Sequence, residues 1–90
     1  MELIFSKKFQ KNAKKLAESR KNLKEKINKS LIDFSKLGRK AMCYRKKLKG
    51  RYIGYEELEI GGDVRIIVRI NKNKNKVILE DIGIHSSLGL

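Results

Sequence analysis

The side chains best suited to acid–base chemistry in this 90-residue chain are one histidine, one arginine and two glutamates. Histidine ionises near neutral pH, so His85, the single one, is the natural proton donor or acceptor. Arg65 carries a planar fork that can hold two phosphate oxygens. Strand alternation places Glu57 and Glu59 on the face of Arg65, where either could act as a base. This set suffices for phosphodiester cleavage through an RNA 2′-hydroxyl, which needs a base, an acid and a phosphate clamp but no metal.

Each of these residues also has a purely structural interpretation. Glu59 is expected opposite Arg65, where the two could form an ordinary cross-strand ion pair. His85 lies near the end of the chain and could be a solvated tail residue. The three tyrosines could stack on bases or could anchor packing: Tyr44, Tyr52 and Tyr55.

The charge of the chain indicates a polyanionic partner. Lys and Arg number 23 against 10 Asp and Glu, which gives a formal net charge of +13. Residues 1–55 hold 18 of the 23 basic residues and four acids, whereas residues 56–90 hold five basic and six acidic residues. A lysine-rich surface can serve solubility alone, but this excess is larger than solubility requires in a small domain. We therefore expect contact with nucleic acid.

Composition excludes several other classes of protein. The single cysteine, Cys43, permits no intrachain disulfide, so the expected location is the reducing cytoplasm. Lys40 and Arg45 could activate its thiol, or the residue could simply pack in the core. The apolar runs are too short to span a membrane, and residues 1–5 are too short and too acidic for a signal peptide. Four close N or S ligands for zinc are not grouped in the sequence, so we expect no metal and no cofactor.

The elements that must position these side chains begin with a strand, Leu3–Phe5, followed by two helices. Ser6 is predicted to cap a first helix that ends near residue 18. Asn22, with Glu25 three residues later, predicts a capping box for the second helix, and Gly38 predicts its end. The apolar stripes are Phe9, Ala13, Leu16 and Ala17 on the first helix, and Leu23, Ile27, Leu31, Phe34 and Leu37 on the second.

A sheet is needed to cover these stripes. After a basic loop over residues 39–51, apolar residues alternate along two strands that are joined by a turn at residues 61–63. Core residues of the two strands must face each other, which pairs Ile60 with Val64. The same register then pairs Glu59 with Arg65 and Tyr55 with Arg69 on the other face. The turn then has three residues.

The last strand, Lys76–Ile84, is apolar without clean alternation, which predicts a central strand covered on both faces. The helix pair supplies one cover, and the absence of a second indicates a partner protein. The predicted fold class is α+β, with an N-terminal strand and a helical hairpin packed on a small, mostly antiparallel four-stranded sheet. One domain, residues 1–90, is expected from the length.

Four short motifs follow the predicted order of elements. They are Phe5–Phe9 with Leu16, Leu48–Gly50 with Gly54 and Tyr55, Gly62–Ile67 with Arg69 and Ile70, and Ile82–Ser86. In these motifs, over nearly its whole length, the chain resembles the RelE/ParE toxin superfamily, and in particular its RelE/YafQ-like members. The last two motifs are the most specific, because members typically close with Gly-x-His-Ser after a hydrophobic strand. The fold implied is RelE-like, which is similar to that of the microbial ribonucleases.

The resemblance implies a toxin of a type II toxin–antitoxin system. Such toxins typically act in the cytoplasm as ribosome-dependent mRNA endoribonucleases that inhibit translation, without a metal or a small-molecule cofactor. The implied partners are the ribosome, mRNA and an acidic antitoxin that covers the sheet and helices. Arg65 matches the phosphate-binding arginine of the family and His85 its acid or base, with Glu57 or Glu59 beside them. The implied RNA-binding residues are Lys46, Lys47, Lys49, Arg51, Tyr55 and Arg69.

Four positions depart from the pattern of the family. Relatives often have arginine at Glu59, tyrosine at Val68, a basic residue at Asp81 and an aromatic residue near Gly89. Loss of one charge stabiliser alone lowers a rate about 10²–10³-fold. Three hypotheses therefore stay open. The chain is an mRNA endoribonuclease that uses the residues named above, a ParE-type non-nuclease toxin acting on gyrase, or a catalytically inactive RNA-binding member of the family.

Overall fold

Two helices pack on one face of a five-stranded sheet in the computed structural model, which describes all 90 residues. The elements are β1 (Glu2–Phe5), α1 (Lys7–Ser19), α2 (Leu23–Leu37), β2 (Tyr44–Lys47), β3 (Glu56–Gly61), β4 (Val64–Asn71) and β5 (Lys76–Ile84), with short 3₁₀ turns at Gly38–Lys40 and Gly50–Tyr52. The strand order is β1-β5-β4-β3-β2, and only β1 with β5 is a parallel pair. The predicted α+β class is confirmed. Neither helix has the length and hydropathy needed to cross a membrane.

The sheet has five strands rather than the four predicted, because β2 lies within the predicted basic loop. In β2, Lys46 lies opposite Glu57 and Lys47 opposite Glu56 on β3. Three of its four residues are Arg or Lys, and lysine is depleted in strands, so propensity does not reveal it. Cross-strand pairs of opposite charge compensate. Lysine on an edge strand also discourages pairing with other chains.

The two helix starts differ in mechanism. Ser6 caps α1 as predicted: its Oγ accepts a hydrogen bond from Phe9 N at 3.0 Å and donates to the Glu80 carbonyl at 2.8 Å. The capping box predicted for α2 is wrong, because the Asn22 side chain makes no capping bond. Asn22 instead has a φ of +66°, a left-handed conformation that asparagine tolerates better than most residues. Gly38, with φ +58°, follows the end of α2 as predicted.

The main core lies between the helices and one face of the sheet. Its side chains that are buried most completely are Phe34, Leu58, Ile66, Val68, Val77 and Leu79. Burying one such side chain stabilises the fold by about 1.5–3 kcal/mol. The predicted stripes supply the helix side of this core, except that Leu37, at the end of α2, is 50% exposed.

The β3–β4 register confirms one predicted pair and corrects another. Glu59 lies opposite Arg65 as predicted, but Gly61 rather than Ile60 lies opposite Val64. A bulge at Ile60 absorbs one residue, which keeps this side chain in the core and shortens the turn.

The last strand is central as predicted, since β5 lies between β1 and β4. The prediction that its second cover is missing from the chain is wrong in part. Leu48 and Leu88 pack on Ile67 of β4, with Tyr52, Tyr55 and Leu90 beside them. The loop after β2 and the C-terminal tail thus cover part of the face that the helices leave open, which we call the open face.

Candidate functional site

A cleft of about 510 Å³ lies on the open face, between the loop after β2 and the C-terminal tail. Its wall carries four basic residues, Lys46, Lys47, Lys49 and Arg51. Glu57 and His85 line the same cleft, with Tyr52, Gly89 and Leu90 among the remaining lining residues. The structure therefore brings together one proposed base, the proposed acid and four of the six residues predicted to bind RNA.

Glu57, which lines the cleft, forms a buried ion pair with Arg65, which does not line it. Arg65 Nε donates to Glu57 Oε2 at 2.9 Å, and the two side chains are only 15% and 4% exposed. Arg65 Nη1 donates to the Gly62 carbonyl at 2.7 Å, whereas Nη2 makes no hydrogen bond within the chain. Glu57 Oε1 is buried and also lacks a partner. Unpaired buried oxygens are costly, and this is the one buried side-chain oxygen or nitrogen of the structure without a partner.

Glu59 occupies a different environment from Glu57. Its Oε1 lies 3.3 Å from Arg45 Nε, and its side chain is 33% exposed. It lies opposite Arg65 in the register, but the guanidinium of Arg65 turns to Glu57. Glu59 does not line the cleft. Of the two predicted carboxylates, only Glu57 is placed to act there.

The folded tail holds His85 at the rim. The backbone N–H of His85 donates to the Asp63 carbonyl at 2.7 Å, whereas the exposed imidazole of His85 has no partner in the chain. Leu88 is buried, and the Tyr52 hydroxyl donates to its carbonyl at 3.0 Å. Gly83 permits this close approach, since a Cβ at that position would lie 3.1 Å from the Leu88 side chain. The tail therefore fixes the backbone of His85 while leaving the ring free.

Five cations of the clefts form no ion pair. Each ion pair in the structure engages a different basic residue: Lys8, Arg20, Arg39, Arg45, Arg65 or Lys76. Lys46, Lys47, Lys49, Arg51 and Arg69 are absent from these pairs, although Lys46 and Lys47 lie opposite Glu57 and Glu56 in the sheet. A concave surface lined by one sign of charge concentrates the field there and attracts polyanions.

Tyr55 and Arg69, also predicted to bind RNA, lie beside this cleft rather than in its wall. The Arg69 guanidinium carbon lies 5.6 Å from the centre of the Tyr55 ring, which confirms their predicted pairing. Tyr55 also makes an edge contact with Tyr52 at 6.3 Å between ring centres. Arg69 is exposed and available to a ligand.

The other positions that depart from the pattern of the family fall in separate places. Asp81 is buried and accepts a hydrogen bond from Asn12 Nδ2 of α1 at 2.7 Å, so its charge is engaged away from the cleft. Val68 is fully buried in the main core, on the face opposite the cleft. Gly89 lines the cleft with a φ of +76° and lies against the Arg51 guanidinium.

Sequence reasoning missed a second buried ionic network. Arg39 donates through Nε and Nη2 to both oxygens of Glu56, at 2.7 and 2.8 Å, and the Tyr44 hydroxyl donates at 2.8 Å. Burial acts to raise the pKa of Glu56, but the hydrogen bonds from Arg39 and Tyr44 outweigh it and the pKa is lowered. Glu56 and the buried Leu58 are two residues apart on one strand and so share a face of the sheet. This spacing was the signal in the sequence that could have predicted the burial of Glu56.

Cys43 is buried, and burial raises the pKa of its thiol, which fits the packing interpretation rather than an activated nucleophile. His, Cys, Asp and Glu side chains nowhere form a group of three that could hold a metal ion.

Comparisons with known proteins fit this fold. Residues 1–89 match the family model of the bacterial toxin of type II toxin–antitoxin system, YafQ. A metal-bound toxin from Helicobacter pylori is 28% identical, with a TM-score of 0.80 and 98% of each chain covered. YafQ from E. coli is 19% identical, with a TM-score of 0.74 over 97% of this chain and 96% of that chain.

The YoeB–YefM toxin–antitoxin complex from Staphylococcus aureus contains a chain that is 21% identical, with a TM-score of 0.75 over 94% of this chain and 97% of that chain. No curated protein sequence is significantly similar to this chain. The family match spans nearly the whole sequence, and the solved toxins share its fold. The chain therefore belongs to the YafQ toxin family of type II toxin–antitoxin systems, within the RelE-like superfamily.

Proposed function

We propose that this toxin is a ribosome-dependent mRNA endoribonuclease that acts in the cytoplasm and inhibits translation. The observation that carries the proposal is the cleft in which Glu57, His85 and four unpaired cations meet. A carboxylate and an imidazole that line one cleft, under a positive field, match the needs of phosphodiester cleavage. The ribosome would supply the message in a defined position, which a small domain with an open cleft cannot do alone.

In the proposed reaction Glu57 accepts the proton of the RNA 2′-hydroxyl. The 2′-oxygen attacks the adjacent phosphorus, and His85 protonates the departing 5′-oxygen, which leaves a 2′,3′-cyclic phosphate. Glu57 Oε1 lacks a donor in the structure, and the 2′-hydroxyl would supply one. Arg65 lies outside the lining of the cleft and holds Glu57 in place through its Nε. The four lysine and arginine side chains of the wall stabilise the charge that develops on the phosphate.

An acidic antitoxin is the proposed protein partner, as the YoeB–YefM complex contains a toxin and its antitoxin. A groove of about 540 Å³ between α1 and α2 offers a place for it. The apolar lining of the groove is Phe5, Phe9, Ala13, Ala17, Ile27 and Leu31. The charged residues of the groove are Lys14, Lys24 and Glu18, an excess of one positive charge, so an amphipathic segment with acidic side chains fits both the lining and the charge.

Primer extension on a translated reporter mRNA tests the nuclease proposal. After induction of the protein, we expect cuts in phase with codons, and these should vanish when translation of the reporter is blocked. Intact message with growth arrest would contradict the nuclease and favour a toxin that acts on gyrase. Intact message with normal growth would indicate an inactive RNA-binding member of the family.

Two variants test the assigned residues in the same assay. His85→Ala and Arg65→Ala should each relieve growth arrest, while Lys29→Ala on exposed α2 serves as a charge-matched control that keeps toxicity. Circular dichroism should show that the His85 variant is folded, because the His85 ring is exposed and unbonded. Full toxicity of both variants would contradict the assignment.

A further inference from the structure

A second basic cleft lies next to the first on the sheet. It has a volume of about 590 Å³ and is lined at the β4–β5 hairpin by Arg69, Asn71, Lys72 and Asn73. The turn is stabilised by Asn71, whose Oδ1 accepts a hydrogen bond from Lys74 N at 3.2 Å. Apart from Lys47, no residue that lines this cleft takes part in the proposed cleavage chemistry.

The free charge of the second cleft is positive. Arg39 also lines it, but both oxygens of Glu56 neutralise that guanidinium. Lys47, Arg69 and Lys72 form no ion pair. No carboxylate side chain lines the cleft. Three unpaired cations with asparagine amides beside them are the chemistry that binds phosphate oxygens.

Lys47 joins the two clefts, since it lines both. Arg69 is held on the ring of Tyr55, so less side-chain entropy is lost when it meets a phosphate. A continuous positive path therefore runs from His85 and Glu57, past Lys47, to the β4–β5 hairpin. Phosphates of one nucleic acid strand repeat at short intervals, so a strand in the first cleft would meet the second with its next nucleotides.

We propose that the second cleft is a phosphate-binding subsite for the same single-stranded RNA whose scissile bond lies in the first cleft, with Arg69 and Lys72 as its main contacts. The inference rests on the proposed nuclease function, but it concerns binding alone. The subsite gives affinity without base recognition, because its charged groups address the backbone.

Binding of a fluorescent oligonucleotide of about twelve deoxynucleotides tests the path, since such a strand spans the usual single-strand site and lacks the 2′-hydroxyl needed for cleavage. The affinity for a single strand falls as salt rises, and each lost phosphate contact reduces the magnitude of the slope of log affinity against log salt by about 0.7. For Arg69→Ala/Lys72→Ala we expect the magnitude of this slope to fall by about 1.4. We expect the affinity to fall about 25-fold at roughly 0.1 M salt. The matched control, Lys29→Ala/Lys36→Ala, removes the same charge from exposed positions of α2 and should change both quantities little.

A length series separates one path from two sites. An oligomer of about three nucleotides occupies only the first cleft, so its affinity for the double variant should equal its affinity for the wild type. Equal losses of affinity for the α2 control and the double variant would overturn the subsite. A loss of affinity for duplex RNA without a loss for the single strand would overturn it as well. If the wild type binds the long strand as expected but cuts no translated message, only the nuclease proposal fails.

Discussion

The two faces of the sheet are built from alternating residues of the same strands, yet they differ in almost every physical property. On the helix side, Leu58, Ile66 and Val68 are fully buried in an apolar core. On the open side, Glu57 and Arg65 alternate with them, and only Ile67 anchors a small apolar cluster. Stability is therefore expected to reside on one face and chemistry on the other.

The charges of the two faces follow the same division. Each buried carboxylate has a partner: Glu56 has Arg39, Glu57 has Arg65, and Asp81 has Asn12. The exposed cations of the clefts form no ion pair, so they repel one another in the folded state. Such an arrangement is unfavourable for stability and useful for binding an anion. We therefore expect the open face to tolerate loss of charge better than the helix face tolerates loss of volume.

Phe34→Ala is the strongest test of the helix face. Phe34 is fully buried, so the cavity and the lost apolar contact should lower the free energy of unfolding by about 3–5 kcal/mol. Ile32→Ala on the same helix is the control, because Ile32 is 58% exposed and its loss should change stability within about 0.5 kcal/mol. Urea unfolding followed by circular dichroism measures both. Similar losses in the two variants would break the division between the faces.

Glu57→Gln should cause the largest functional loss on the open face. It removes the proposed base, so cleavage of translated message should fall about 10²–10⁴-fold. Glu59→Gln is the control: it breaks only the partly exposed contact with Arg45, which is worth about 0–1 kcal/mol. Primer extension with a dilution series of toxin gives the ratio. A larger loss for Glu59 than for Glu57 would assign the base to the other carboxylate.

Glu56→Gln tests the buried network at the edge of the main core. Leaving the Arg39 and Tyr44 donors poorly matched should cost about 1–3 kcal/mol at neutral pH. The pKa of Glu56 is lowered in the folded state, so its stabilisation is present above the ordinary glutamate value of about 4.3 and is lost as the pH falls through the lower folded value.

Unfolding free energies of the wild type should therefore decrease as the pH falls below about 4.3, and the Glu56 variant should show a shallower decrease. Glu25→Gln, an exposed change on α2 that breaks no ion pair, should keep the wild-type slope. Equal slopes for all three proteins would remove Glu56 from the acid sensitivity of the fold.

Periodicity in the sequence was enough to predict the helices and the pairing of Glu59 with Arg65, because both rest on burial of one face. The central place of β5 was predicted from the opposite signal, an apolar run without clean alternation. The basic strand β2 was missed because lysines pair there with Glu56 and Glu57, a tertiary effect that propensity does not contain. The second cover was missed because Leu48 and Leu88 are isolated in the sequence and meet only in the fold.

The candidate site was predictable in membership but not in geometry. Strand parity placed Glu57, Glu59 and Arg65 on one face, which the register confirms. Parity cannot choose between two carboxylates that share it, because the choice depends on which way the Arg65 guanidinium turns. Nor does it show the tail returning over Gly83 to present His85, since that path depends on side-chain contacts.

Tyr52→Phe probes a single hydrogen bond within the open face, made by the hydroxyl that ties the tail to the loop after β2. Removing its hydrogen bond to the Leu88 carbonyl should lower the free energy of unfolding by about 0.5–1.5 kcal/mol. A looser tail holds His85 less well, so cleavage should fall by at most about tenfold. Tyr44→Phe is the matched control, because its hydroxyl binds Glu56 in the buried network and not the tail. It should cost similar stability and leave cleavage by the folded protein unchanged. Equal losses of cleavage in both variants would mean that stability, and not the position of His85, limits the reaction.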